Sequence, residues 1–252
     1  MIVFAPLRAR RLDVSLHELP IGDEIALCHL PERAHEKAMT EFLSRAIESA
    51  NAPSGQHLAD PRAWSVGERL LALAHYCKHT RDDGPDYAVT ESSRLSDYLD
   101  MSRDLPPAPV PFTALGDEWI TIPLSGAAAE VLESLQSQSD LAGRAHWVIG
   151  AMAAQMLRVS ETFPDPVAET AKYTDWLAQR IGTLRAFPSS SFDVMYANYC
   201  EAAARDAQYF SIWFDELGVI VLPKEAGAAT PPARFLILAG VGALALSLAG
   251  KA

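Results

Sequence analysis

Positive charge is in short supply in this chain. Its 252 residues carry 21 Lys and Arg against 32 Asp and Glu, a net charge of −11. Binding a phosphate backbone needs a basic stripe, so nucleic acid is not expected as a partner. The one basic cluster, Arg8, Arg10 and Arg11, is too small to make a basic face and reads as a solvated or partner-facing end. Cysteine is also scarce. Cys28, Cys77 and Cys200 are far apart, odd in number and form no CxxC pair, which fits free thiols in a reducing compartment. The opening MIVFAPLRARR puts its charges after a very short apolar run, the reverse of a secretory signal. The chain is therefore expected to be made and kept in a cytosol, at least until it joins something.

Nucleophile motifs are missing as well: neither G-x-S-x-G nor S-x-x-K occurs. Cys77 lies two residues from both His75 and His79, an offset that points helical side chains apart. No catalytic constellation and no cofactor is expected. What is present is foldable material: 49% hydrophobic and 21% charged residues, enough for one large domain or two small ones.

The pattern predicts a mainly α chain with short β segments, an α+β fold ending in an apolar C-terminal tail. Residues 1–29 read as β-rich or extended, with Leu12, Val14 and Leu16 alternating with polar residues and a second apolar run at Ile25–Leu30. Residues 31–50 read as a helix with Ala34, Ala38, Phe42, Leu43, Ala46 and Ile47 on one stripe. Ser65 and Glu68 form an S-x-x-E capping box for a helix to about Thr80, lined on one face by Val66, Leu70, Leu73, Ala74 and Cys77. Gly84 and Pro85 break it in an acidic turn. A short extended piece, Tyr87–Val89, leads to a helix near Ser92–Met101.

Four prolines in residues 105–111 predict a stiff connector between an N-terminal α+β region, 1–104, and a helical region, 112–223; residues 224–252 form a linker and the apolar tail. After a strand at Trp119–Leu124, helices are predicted from Ser125 to Gln138, from an Asp140 cap to about Val159 (Leu141, Ala145, Val148, Met152 and Met156 inward), through Ala171, Thr174, Leu177, Ile181 and Leu184 to Pro188, and from Ser191 to about Leu217. The aromatics from Tyr196 to Phe214 on the last of these read as core or as an interface patch. A short β run follows at Val219–Leu222.

Four clusters have metal- or phosphate-binding overtones. His75 and His79 sit four apart, with Glu68 two turns earlier on the same side, a spacing able to present three ligands. Tyr76 stands where a zinc peptidase carries Glu, and histidines near a helix C-terminus are favoured by the macrodipole alone, so a structural stripe is the simpler reading. Asp82, Asp83 and Asp86 depart from calcium-loop spacing, and the position eleven beyond Asp82 is Ser93. They read as a turn. Gly240-Val241-Gly242-Ala243 mimics a dinucleotide loop but lacks the following strand and acidic residue, and Gly250-Lys251 lacks the flanking residues of a phosphate loop.

The tail, Phe235 to Gly250, is sixteen apolar or small residues. As a helix it would span ~24 Å, short of the ~30 Å bilayer core, yet it is too apolar to leave in water. Burial against neighbouring subunits, packing on its own domain and a marginal membrane anchor flanked by Arg234 and Lys251 are the three readings. The first makes Phe235, Leu236, Ile237, Leu238, Val241, Leu244, Leu246 and Leu248 the protein interface.

Trp64-Ser65-Val66-Gly67-Glu68-Arg69, the Asp83-Gly84-Pro85-Asp86-Tyr87 turn, Ser96-Asp97-Tyr98-Leu99 and Gly143-Arg144-Ala145-His146-Trp147 together resemble a pattern of bacteriophage tail and baseplate-assembly proteins. The resemblance spans residues 20–222 and leaves the apolar tail outside it. It implies a non-enzymatic structural subunit or tail-assembly chaperone, in contact with other tail or baseplate subunits or the tape-measure protein. Such a protein would reside in the host cytoplasm during assembly and then in the virion tail. A tail-anchored membrane-associated protein and a helical metal-dependent enzyme using Glu68, His75 and His79 are the alternatives.

Overall fold

The computed structural model describes residues 2–52, 58–105, 108–138, 140–225, 227 and 229–251. Among these, 47% of the chain is helical and 18% is strand in small sheets, an α+β mix. In chain order the elements are β1 (Leu7–Arg8), β2 (Asp13–Leu16), α1 (Ile21–Cys28), α2 (His35–Ala46), β3 (Ile47–Asn51), α3 (Val66–Thr80), β4 (Ala88–Thr90), β5 (Ser93–Arg94), β6 (Val110–Ala114) and β7 (Asp117–Thr121). There follow α4 (Gly126–Gln136), α5 (Gly143–Gln155), β8 (Met156–Arg158), α6 (Thr170–Arg185), α7 (Ser189–Asp206), β9 (Ser211–Asp215), β10 (Gly218–Leu222) and α8 (Ala243–Leu248). All sheets are antiparallel: β1-β2-β3, β6-β7-β8 and the pairs β4-β5 and β9-β10.

The central element is α3. Its capping box forms as the sequence predicts: Ser65 Oγ accepts from the Glu68 amide at 3.1 Å, and Glu68 Oε2 accepts from the Ser65 amide at 2.8 Å. The burial is wider than one stripe. Val66 to Ala74 are all buried, because α2, α4 and the 3-10 turn Ile237–Gly240 pack around the helix. Buried residues on both sides of 105–111 belong to one continuous core, which holds Trp64 and Leu73 together with Leu132, Trp147 and Phe214. Residues 106 and 107 of the Pro-rich connector lie outside the described residues.

Several boundaries differ from the sequence reading, each for a local reason. Ile25–Cys28 is helical rather than extended: Pro20 precedes α1, and Asp23 and Glu24 occupy its first turn, where acids suit the helix dipole. The helix expected to Ala50 stops at Ala46, because Ile47–Asn51 pairs with β2 in the register Val14↔Ala50. In place of a helix at Ser92–Met101 there are β5 and two 3-10 turns. Asp97 accepts from the Arg94 amide at 2.8 Å and Asp100 from the Ser102 amide at 3.0 Å, side-chain bonds that compete with helix continuation.

Asp140 is not the cap of α5, whose N-cap position is Ala142. Its carboxylate takes both terminal nitrogens of Arg185 at 2.6 and 2.8 Å. α5 starts three residues later at Gly143, and its buried face carries His146, Trp147, Gly150 and Ala151 rather than Leu141 and Ala145. On α6, Tyr173 is buried and Ala171 exposed. α7 ends at Asp206 instead of Leu217. The β-branched and aromatic residues beyond it prefer a pleated surface and form the β9-β10 hairpin, closed across Glu216 and Leu217. Gly218, at φ +120°, lies against the Trp147 ring, where a Cβ would meet ring carbons at 3.0 Å.

Helical glycines here have opposite roles. A Cβ on Gly67 would lie 2.6 Å from the Gln208 carbonyl oxygen, whereas one on Gly182 in α6 would meet nothing within 4 Å. Replacing glycine by alanine in a helix ordinarily stabilises by ~0.5–1 kcal/mol. Gly182→Ala is expected to do so in urea unfolding, and Gly67→Ala to lower stability by ~1–3 kcal/mol through the backbone clash. A stabilised Gly67→Ala protein would mean that the Gln208 backbone yields freely.

Candidate functional site

The charged side chains in the interior hold helices together. Arg69, on α3, is buried; Nη2 donates to the Glu36 carbonyl at 2.6 Å and to Thr40 Oγ1 at 2.9 Å, and Nη1 to Glu36 Oε2 at 3.4 Å. Glu130 on α4 stands 4.0 Å away, and also pairs with Arg62 at 3.4 Å and accepts from Thr40. Glu133, a turn further along α4, accepts from the amides of Glu36 and Lys37 at 2.9 and 3.1 Å, so it caps α2 from another helix.

A second polar set surrounds a cavity of about 60 Å³. Ser65 Oγ donates to Gln208 Oε1 at 2.7 Å, Gln208 Nε2 to the Leu105 carbonyl at 2.6 Å, and the Tyr199 hydroxyl to Gln155 Oε1 at 2.7 Å. Asp206 lines the same cavity. Its volume suits water rather than a substrate, since ligand sites run to roughly 300 Å³ and more.

The histidine stripe is tied to the chain start. His75 Nε2 lies 2.7 Å from the Ala5 carbonyl, His79 Nε2 accepts from the Ala5 amide at 3.3 Å, and the two rings are 4.6 Å apart. Burial holds His75 below the usual imidazole range. Glu68 does not join them. Its carboxylate is committed to the Ser65 amide and to Arg11 Nε at 2.8 Å, which also draws Arg11 inward, out of the solvated basic cluster expected from sequence. Among the described residues no group of three or more His, Cys, Asp or Glu is arranged to hold a metal ion. Asp83 pairs with Arg81 and accepts from the Ala88 amide, while Asp86 accepts from Ser96, which fixes the acidic turn. Burial pushes the Cys77 thiol up to about 12 and raises Cys28 and Cys200, so none is poised as a thiolate.

The C-terminal segment presents a different surface. Phe235–Gly250 is not one helix: a 3-10 turn at Ile237–Gly240 is followed by the six residues of α8. Among the described residues no helix is long and apolar enough to cross a membrane. Before it, Ala233 bridges Val221 and Arg234 Nη1 donates to the Val219 carbonyl at 2.7 Å. Phe235, Ile237 and Val241 are buried, with Phe235 edge-on to Tyr98 and Phe210. Leu238 and Leu246 are half-buried. Leu236, Leu244 and Leu248 face solvent at 41%, 66% and 63% exposure, and the last two, four apart on α8, share a face.

Two grooves flank this segment. One, of about 330 Å³, lies against α1 and α2 between Leu27, Leu30, His35 and Phe235–Leu238. The other, of about 680 Å³, lies between α1, the end of α3 and Leu238–Leu246. No family model, no curated protein and no solved structure matches the chain.

Sequence reasoning missed the Arg69 network and the grooves. One signal for the network was available: a lone arginine inside Glu68-Arg69-Leu70-Leu71-Ala72-Leu73-Ala74, where an unpaired charge would be costly. The grooves had none, because their walls bring the C-terminal segment against elements from the first third of the chain.

Burial, with repulsion from Glu36 and Glu130 behind it, pushes the Glu133 carboxyl up to about 7 against its two amide bonds, and burial lifts Asp206 to about 7 against the pull of Arg103. Each group holds its proton more tightly folded than unfolded. Its stabilising contribution is complete below the ordinary carboxyl range and is lost as pH rises through about 7. The unfolding free energy is therefore expected to fall from pH 5 to pH 8, by about 1–2 kcal/mol per group after allowance for partial solvent access, and the melting temperature with it. Glu133→Gln is expected to flatten that slope, as read by calorimetry across the range; an unchanged slope would remove Glu133 as a contributor.

Proposed function

We propose that this protein is a non-enzymatic component of a bacteriophage tail or baseplate, a structural subunit or an assembly chaperone, that works by docking its C-terminal face on neighbouring tail subunits or the tape-measure protein. It acts in the host cytoplasm during assembly and then in the virion tail. The observation that carries the docking claim is the display of Leu236, Leu244 and Leu248 in solvent on a segment whose Phe235, Ile237, Val241 and Ala245 are buried. Scattered exposed leucines are ordinary on a protein surface. Here two share one helical face on a segment whose other residues line two grooves, the kind of surface that marks an interaction site. The resemblance carried by Trp64–Arg69, the Asp83–Tyr87 turn, Ser96–Leu99 and Gly143–Trp147 supplies the tail and baseplate assignment. The engagement of Glu68, Arg69, Glu133, His75 and the cysteines in packing and capping favours binding over catalysis.

Truncation after Ala233 would strip Phe235 and Ile237 from the core, so point substitutions make the better test. In the genome that encodes the chain, inactivating its gene is expected to leave particles without complete tails under the electron microscope. The wild-type chain supplied in trans restores them; Leu244→Glu/Leu248→Glu, with a melting temperature within a few degrees of wild type, does not. Intact tails in the null genome would overturn the tail assignment, and full rescue by the double variant would overturn the docking face.

A further inference from the structure

The larger groove beside the C-terminal segment combines an apolar floor with an acidic rim. The Tyr76 ring, Leu19, Leu238, Val241 and Leu246 line its floor, and the carboxylates of Glu18, Glu24, Asp82 and Asp83 stand around it. Among the described residues one cation, Arg81, also lines it, but that guanidinium is bound to Asp83 at 2.9 and 3.3 Å. Two of the acids are fixed by the backbone. Glu18 Oε2 accepts from the Ile2 amide at 2.8 Å and Glu24 Oε1 from the Gly242 amide at 3.2 Å. The rim therefore has a set geometry rather than a swarm of mobile side chains. Asp82 is exposed, and among the described residues no hydrogen bond or ion pair engages its carboxylate.

We infer that this groove receives a basic amphipathic helix from a partner protein, its apolar stripe on the floor and its lysines or arginines against the carboxylates. Helix-in-groove docking of this type reads anchors at i, i+3, i+4 and i+7, and the volume, about 680 Å³, is of the size that takes a few large side chains. Charge decides the class of occupant. A second copy of this chain carries a net charge of −11 and would bring like charge to an acidic rim, and an anionic lipid surface would be repelled in the same way. The inference rests on the proposed docking role and names the chemistry of the partner.

The test uses the full chain and a short fluorescein-labelled helical peptide of leucine and lysine, with its leucine and glutamate counterpart as the second probe, read by fluorescence anisotropy. Saturable binding of the Leu/Lys peptide alone is expected. Glu18→Gln/Asp82→Asn, and separately Ala243→Trp, which fills the groove without changing its charge, are each expected to weaken it about tenfold. Asp175→Asn/Asp193→Asn, the same charge loss on α6 and α7, is expected to change it less than about twofold.

Equal weakening by both charge pairs would mean diffuse attraction to an acidic protein and would overturn the groove. So would comparable binding of the Leu/Glu peptide, no binding at all, flotation with phosphatidylcholine vesicles in place of peptide binding, or a dimer in sedimentation that Ala243→Trp abolishes. The two proposals fail separately. Peptide binding confined to the groove alongside intact tails in the null genome would leave the partner chemistry standing without the tail assignment; loss of tails with Leu244→Glu/Leu248→Glu and no groove-specific binding would do the reverse.

Discussion

The guanidinium of Arg69 is the point at which three helices are joined. It is buried, and its stem belongs to α3, its hydrogen bonds to α2 through the Glu36 carbonyl and Thr40, and its remaining charge partner to α4 through Glu130. A buried arginine repays its desolvation only when its bonds and counter-charges are all in place. Arg69 comes close to that, with Nε alone left unpartnered. The space it occupies is provided by Gly126, where a Cβ would lie 2.3 Å from Nη1. Gly126 is the first residue of α4, just after the Ser125 cap, so the start of α4 is fixed by the need to clear Arg69. The bridge Ser65↔Ser125 locks the two serine caps side by side.

That junction also explains where the acid goes. The starts of α2, α3 and α4 meet here, and each brings unsatisfied amides and a partial positive charge. Glu133 serves α2 and Glu68 serves α3, while Ser125 serves α4. A chain with an excess of carboxylates can therefore bury several without matching each to a lysine, because helix ends supply positive potential. The cost is visible in Glu133 and Asp206, whose protons are held up to about pH 7 by burial. Such groups resemble the perturbed acids of active sites. Around Glu133 here stand the amides at the start of α2, and around Asp206 stand Arg103 and a cavity of water size.

Local chemistry was legible in the sequence wherever one short segment decides the outcome. The Ser65–Glu68 box, the Asp83–Tyr87 turn and the alternation of Leu12, Val14 and Leu16 are each contained within a few residues, and each is where the pattern puts it; the strand expected at Trp119–Leu124 runs instead over Asp117–Thr121, between β6 and β8. Elements that answer to distant partners were not legible. Ile47–Asn51 is a strand because β2 lies beside it, and Ser211–Asp215 leaves the expected helix to pair with β10. Asp140 looks like a cap until Arg185, 45 residues away, takes it. The eight apolar residues of the tail read as one surface, yet they divide into buried Phe235, Ile237 and Val241, half-buried Leu238 and Leu246, and exposed Leu236, Leu244 and Leu248. Period alone could not make that division, because Gly240 and Gly242 interrupt the helix that a period assumes.

Gly240 shows why the C-terminal segment suits a docking role without being a loose appendage. A Cβ there would meet the rings of Phe42 and Tyr76 at 3.2 Å, so the backbone rests directly on α2 and α3. Tyr76 in turn accepts from the Leu19 amide at 3.0 Å, and Gly242 donates to Glu24, which ties the same stretch to α1. A segment held at this many points pays little ordering entropy when a partner arrives, and lower ordering cost is what preorganisation contributes to affinity. Fold and proposed binding face are thereby coupled. Residues that seat the segment in the core cannot be separated from stability, whereas those that point away from it, Leu236, Leu244 and Leu248, contribute little to the core and are free to be chosen for what they touch outside.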